Sequence, residues 1–181
     1  MTFTSPLLRP GAKEMLCQAI GTYPERYDDV FNDVHERLVR RGAATKLDLS
    51  VLIAWKHVRN APWMKVLLKT PEGVVEAATR AAFSPGLTDE RRVAALDPLP
   101  GFGGQGAFTS VLLTAWDPTA FGVFDRLANV KRTIVVSETC GCDWSILPVY
   151  WAHLRTIACE MGTDSGGTWT PRMVEMALMN L

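Results

Sequence analysis

The sequence predicts an all-α protein. Three observations carry this prediction. Apolar residues recur at helical spacing in one segment after another, strand-like alternation never persists beyond a few residues, and proline and glycine fall where helices would begin and end. The chain has 181 residues, 48% hydrophobic and 21% charged. It is long enough to bury a full core and too apolar to stay disordered. We expect one all-α domain over 1–181, in an arrangement that allows two lobes around a cleft.

The elements follow in order. In PERYDDVFNDVHERLVRRG, Tyr27, Val30, Phe31, Val34 and Leu38 make one helical stripe, and Gly42 stops it. Acids sit early in this stretch and Arg37, Arg40 and Arg41 late, as the helix dipole favours. Asp48 or Ser50 would cap a helix over 49–60. Pro62 and Pro71 suit the first turns of two more. TDERRVAAL, with acids behind Thr88, reads as a short helix. Dense punctuation follows at 97–106, then the apolar helix AFTSVLLTAW and the turn DPTAFG. Helices are expected over 124–136 and 144–161, a polar connector over 163–167, and a last helix capped by Thr170-Pro171.

Lys and Arg total 19, equal to Asp and Glu. Zero net charge argues against a highly basic nucleic-acid coat, though not against a local basic face. Residues 49–71 carry Lys56, Arg59, Lys65 and Lys69 and no acid; Arg126, Lys131 and Arg132 form a second basic group. Either group also reads as a solvated helix face. No apolar run is long enough for a membrane span, and MTFTSPLLRPGAKEM lacks the pattern of a signal peptide. We therefore expect a cytoplasmic protein with reduced cysteines. Of the four cysteines, Cys140-Gly-Cys142 is a poor zinc half-site with no second pair behind it, so no metal is expected.

The informative segment is LDPLPGFGGQGAFTSVLLTAW. A glycine hairpin at 99–106 lies between two helices, the whole spanning about 88–116. Gly101 and Gly103 can take positive φ, and the unpaired N–H groups opening the next helix can receive a phosphate without side-chain charge. The alternative is a plain turn between helices. Twenty-four residues after Gly101, a DP turn leads to Asp125 in FGVFDR.

Together these residues resemble the helix-hairpin-helix DNA glycosylase superfamily, which includes endonuclease III and 8-oxoguanine glycosylase. The resemblance covers about thirty residues: Leu99-Pro100-Gly101-Phe102-Gly103, the helix after it, the loop, and Val123-Phe124-Asp125. It implies that Asp125 is catalytic, stabilising oxocarbenium character on the sugar and activating water. It implies DNA-backbone contacts from Gly101, Phe102, Gly103, Gly104 and Gly106. Arg126, next to Asp125, can pair with a phosphate or simply be solvated. Where bifunctional members place a lysine nucleophile, this chain has Gln105, which forms no Schiff base. The expected enzyme is thus monofunctional. No cofactor is expected, although the resemblance leaves room for a monovalent cation on the hairpin carbonyls.

A target base must leave the duplex, and aromatic and basic residues together offset that cost. Trp55, Lys56 and Arg59 supply them within the acid-free stretch, although Trp55 shares a helical stripe with Val51 and Leu52 and so also reads as core. The expected partner is double-stranded DNA carrying a damaged or modified base, bound by a monomer without any membrane. Repair and defence against phage DNA with hypermodified bases both fit. Two other classes remain open: a non-catalytic DNA-binding module in which Asp125 only caps a helix, and an all-α interaction protein without nucleic acid.

Overall fold

A computed structural model of the chain describes residues 7–24, 28–56, 61–103, 106–137, 143–162 and 168–181. Among these residues there are ten helices and no strand; one isolated antiparallel bridge joins Leu8 and Val136. The all-α prediction therefore holds. None of the described helices is long and apolar enough to cross a membrane. The chain divides into two compact units, one formed by Glu25–Asp117 and the other by Met1–Pro24 with Pro118–Leu181.

In the Glu25–Asp117 unit, α2 (Asp29–Arg41) and α3 (Lys46–Trp55) pack against α7 (Ala107–Trp116). The first described helix, α1 (Ala12–Gly21), belongs to the other unit. Of the apolar stripe foreseen for α2, Phe31, Val34 and Leu38 are buried and Val30 is exposed, Tyr27 lies outside the described residues, and Gly42 ends the helix at φ 66°. α7 is buried without a break from Phe108 to Ala115. A charge-free helix buried on every side, its hydroxyls of Ser110 and Thr114 satisfied by its own carbonyls, is the centre of its unit. Each large apolar side chain on it contributes about 2 kcal/mol by leaving water.

α3 begins earlier than the sequence suggests. Its cap is Thr45, not Asp48 or Ser50. The Thr45 hydroxyl accepts from the Asp48 N–H, and the Asp48 carboxylate accepts from the Thr45 N–H, a reciprocal capping box. Asp48 is buried and also accepts from Arg37 Nε at 2.7 Å and Arg41 Nη1 at 3.2 Å. One carboxylate thus ties the end of α2 to the start of α3.

α4 (Ala61–Lys69), α5 (Glu72–Ala82) and α6 (Asp89–Ala95) complete this unit. Pro71 stands at the N-cap of α5, one place before the first turn, and Thr88 caps α6. Arg92 of α6 is buried, donates to the Ala82 carbonyl at 2.6 Å, and lies 4.8 Å over the Trp116 ring. Phe83 stacks on the same indole at 4.9 Å. A desolvated cation–π contact of this kind is worth about 2 kcal/mol.

In the other unit, α10 (Pro171–Asn180) packs on α1 (Ala12–Gly21), α8 (Arg126–Val135) and α9 (Leu147–Gly162). α1 has no counterpart among the helices expected from sequence. It opens after Gly11 at φ 78° with no side-chain cap to announce it. α8 and α9 start two and three residues later than expected. Residues before α1 are fixed by distant partners: the Glu160 carboxylate accepts from the N–H groups of Leu7 and Leu8, at 2.7 and 3.1 Å. On α10, Arg172 and Glu175 form a buried ion pair, and Arg172 also donates to the Tyr23 hydroxyl at 3.2 Å.

Candidate nucleic-acid site

The glycine hairpin is a run of tight turns between α6 and α7. The Leu99 N–H donates to the Leu96 carbonyl at 2.9 Å, and the Phe102 N–H to the Leu99 carbonyl at 3.0 Å. Leu99 and Phe102 point into the core, where the Phe102 ring lies 5.6 Å from that of Phe108. The Thr109 hydroxyl donates to the Phe102 carbonyl, fastening the turn to α7. Phe102, expected from sequence to contact DNA, therefore has a side chain with no exposed surface. It anchors the hairpin rather than reaching outward.

Gly101 sits at φ +83°, and a Cβ there would stand 2.7 Å from the Trp63 ring. Both the backbone and the space demand glycine. A Cβ on Gly103 would lie 2.8 Å from Asp97 Oδ1 and 3.0 Å from the Asp97 backbone. Gly106 is the N-cap of α7, which opens without a side-chain cap and without an acid in its first turn. Gly104 and Gln105 lie outside the described residues, as does Arg59.

Trp55 is half-buried, with its ring 5.1 Å from that of Phe31, so packing accounts for it at least in part. Lys56, also half-buried, follows it as the C-cap of α3. Trp63 is 40% exposed, lies against Gly101 and meets Phe108 edge-on at 6.4 Å.

Asp125 belongs to the other unit. It is half-buried and caps α8, with Oδ1 accepting from the Leu127 N–H at 2.7 Å. The loop before it is held by α9. The Trp151 indole N–H donates to the Gly122 carbonyl at 2.9 Å, and the Tyr150 hydroxyl to the Val123 carbonyl at 3.1 Å. Phe121 meets Trp151 edge-on at 4.8 Å, and Phe124 meets Tyr150 at 5.3 Å. Gly122 leaves no room for a side chain: a Cβ would stand 2.5 Å from Leu154 Cδ1 and 3.0 Å from the Pro171 carbonyl oxygen. Burial, then the negative charges of Glu175 and Asp125, push the Tyr150 hydroxyl well above its ordinary pKa, against a smaller opposing pull from Arg172. Tyr150 is therefore a protonated donor at any physiological pH. Nothing in the local sequence singles out Tyr150, and Trp151, on an apolar helix, reads there mainly as a packing residue.

Of the second basic group, Arg126 is exposed at the start of α8. Lys131 donates to the Met179 carbonyl at 2.8 Å, while Arg132 donates to Asn129 and covers the Trp144 ring at 4.4 Å. These two residues have structural roles. On the Trp144 indole rests His153, buried, at a ring distance of 4.1 Å. Its Nδ1 faces the Val149 carbonyl at 2.7 Å, so Nδ1 carries the proton of the neutral ring. Burial lowers its pKa below 6.5, partly opposed by that carbonyl, and the Arg132 charge lowers it further.

A base with a depressed native pKa is protonated first in the unfolded chain. Stability then declines as pH falls from about 6.5 toward the native pKa, and this group causes no further loss below it. We expect the melting temperature of the wild type to drop between about pH 7.5 and 5 by more than that of His153→Gln. Equal drops in calorimetry would refute the assignment.

Among the described residues, no group of three or more His, Cys, Asp or Glu side chains could hold a metal ion. Cys140 and Cys142 lie outside those residues. No protein-family model, no curated protein and no solved structure matches the chain.

Proposed function

We propose that this protein is a monofunctional DNA glycosylase related to the helix-hairpin-helix superfamily, acting in the cytoplasm as a monomer on double-stranded DNA with a damaged or modified base. The observation that carries the reading is the fixed carboxylate of Asp125, a half-buried acid at the end of a loop bound by two buried donors. It stands at the sequence distance from the glycine hairpin that the superfamily uses.

The hairpin receives a phosphate at the uncapped start of α7, where N–H groups and the helix dipole favour an anion. The carbonyl oxygens of Gly101 and Gly103 both lie near the point a Gly106 Cβ would take, at 3.3 and 3.8 Å. A monovalent cation would be held by these two oxygens and would add positive charge toward the phosphate. Arg126 contributes a further cation beside Asp125. Trp55, Lys56 and Arg59 receive the displaced base. As the glycosidic bond lengthens, Asp125 stabilises the positive sugar and orients the water that attacks it. Gln105 supplies no amine, so the reaction stops at an abasic site. A hypermodified phage base is one such target, which would make the protein a defence enzyme.

The cap bond from the Leu127 N–H to Asp125 favours the second reading, a DNA-binding module without catalysis. An abasic-site assay separates the two. The protein is incubated with DNAs carrying uracil, 8-oxoguanine or alkylated bases, and with phage DNA containing hydroxymethylated or glucosylated cytosine. Strand breaks that appear only after alkali are the expected result. No breaks on any substrate, with salt-sensitive binding intact, would leave the binding module. Gly103→Val should weaken duplex binding at least about tenfold, roughly 1.4 kcal/mol, because the side chain collides with Asp97 and distorts the hairpin. Unchanged affinity in a gel-shift titration would remove the hairpin from the interface.

A further inference from the structure

Tyr150 and Trp151 are adjacent on α9, so their side chains leave the helix axis about 100° apart. Both are fully buried, yet each spends its polar atom on the same short loop. The carbonyls they bind, of Gly122 and Val123, are consecutive and end two residues before Asp125. Two bonds from different directions fix how the loop is rotated as well as where it lies. The ring contacts of Phe121 and Phe124 repeat the pairing, one with Trp151 and one with Tyr150. Gly122 lets the loop lie this close, because a Cβ there would collide with Leu154 and the Pro171 carbonyl oxygen. A loop needing only to connect α7 to α8 would be held well enough by its buried Phe121 and Val123.

We infer that Tyr150 and Trp151 are positioning residues that set the place of the Asp125 carboxylate, acting through the carbonyls of Val123 and Gly122 and not by touching substrate. The catalytic consequence rests on the glycosylase reading; the geometric one does not. An acid that stabilises charge at one sugar carbon must stand within a fraction of an ångström of its working place. The clamp supplies that constraint on the loop before Asp125, in addition to the α8 cap bond after it.

The test uses the intact protein and the variants Tyr150→Phe and Trp151→Phe. Tyr150→Phe keeps the ring against Phe124 and removes only the hydroxyl. Two readouts are taken. The first is amide exchange at Leu127, whose N–H the Asp125 carboxylate accepts. It should quicken about tenfold in Tyr150→Phe while amides in α7 keep the wild-type rate. Unchanged Leu127 exchange in both folded variants would overturn the clamp. The second is single-turnover base release on the substrate found active for the wild type. The maximal rate should fall at least tenfold with DNA affinity within twofold. Loss of affinity in step with rate, or an unaltered rate, would overturn the positioning role. If the wild type itself releases no base, the glycosylase reading fails, and Leu127 exchange alone decides the clamp.

Discussion

Asp125→Asn is expected to leave the protein folded and bound to DNA while base release falls about a thousandfold. The side-chain oxygen of asparagine caps a helix as well as that of aspartate, so the bond to the Leu127 N–H survives and α8 keeps its start. What disappears is the negative charge. The substitution therefore separates the two roles that one residue combines. A cap loses almost nothing, and a stabiliser of positive charge loses nearly everything. Asp125→Ala provides the contrast, costing about 1 kcal/mol of stability in addition, because the cap goes as well. Rates are read from single-turnover base release, affinity from a salt-controlled titration, and stability from urea unfolding. Full activity in Asp125→Asn would show that the catalytic assignment is wrong. Equal stability of the Asn and Ala variants would show that the cap contributes nothing.

The second large effect is expected far from that residue. Asp48→Asn should lower the stability of the protein by about 2 kcal/mol, because the buried negative charge that binds two arginines and closes a capping box is lost. That is a large share of the roughly 5 to 15 kcal/mol typical of a folded domain. Burial alone would raise the Asp48 pKa. The bonds from Thr45 and Arg37, with the Arg37 charge, outweigh it and hold the carboxyl below its ordinary 3.8. The contribution is therefore complete above about pH 3.8 and is lost as pH falls through the lower native value. The gap between wild type and variant should be full at about pH 6 and should begin to narrow only below about pH 4. Both arginines are partly exposed, so salt should narrow the gap somewhat. A denaturation series showing the same gap at about pH 3 and pH 6 would contradict this account.

Much of the fold can be read from local sequence, and the failures have physical causes. α7 is recognised to the residue because a largely apolar, charge-free run lies between Gly106 and Asp117-Pro118. α3 is misread because Asp48 looks like a cap. It is instead the third residue of a helix capped by Thr45, and its burial depends on arginines from α2. α1 escapes because Gly11 caps it by backbone conformation alone. Phe102 looks like an exposed hairpin residue in the linear chain, but the turns rotate it and Leu99 inward. The partners of Tyr150 and Trp151 lie 27 and 29 residues back along the chain. No local pattern of apolar spacing contains such a pairing. The spacing of hairpin and acid, by contrast, is a one-dimensional feature, so the order of residues alone displays it.

The continuous burial of α7 has a consequence for motion. A helix enclosed over eight consecutive residues, from Phe108 to Ala115, cannot fray from its middle, and opening it exposes the centre of its unit. Phe102 and Thr109 extend that stiffness into the hairpin. The backbone groups at the start of α7 are thus joined to a segment that opens only with its unit. A partner docking there would meet a backbone already held by packing, so little of the binding free energy would be consumed in ordering it.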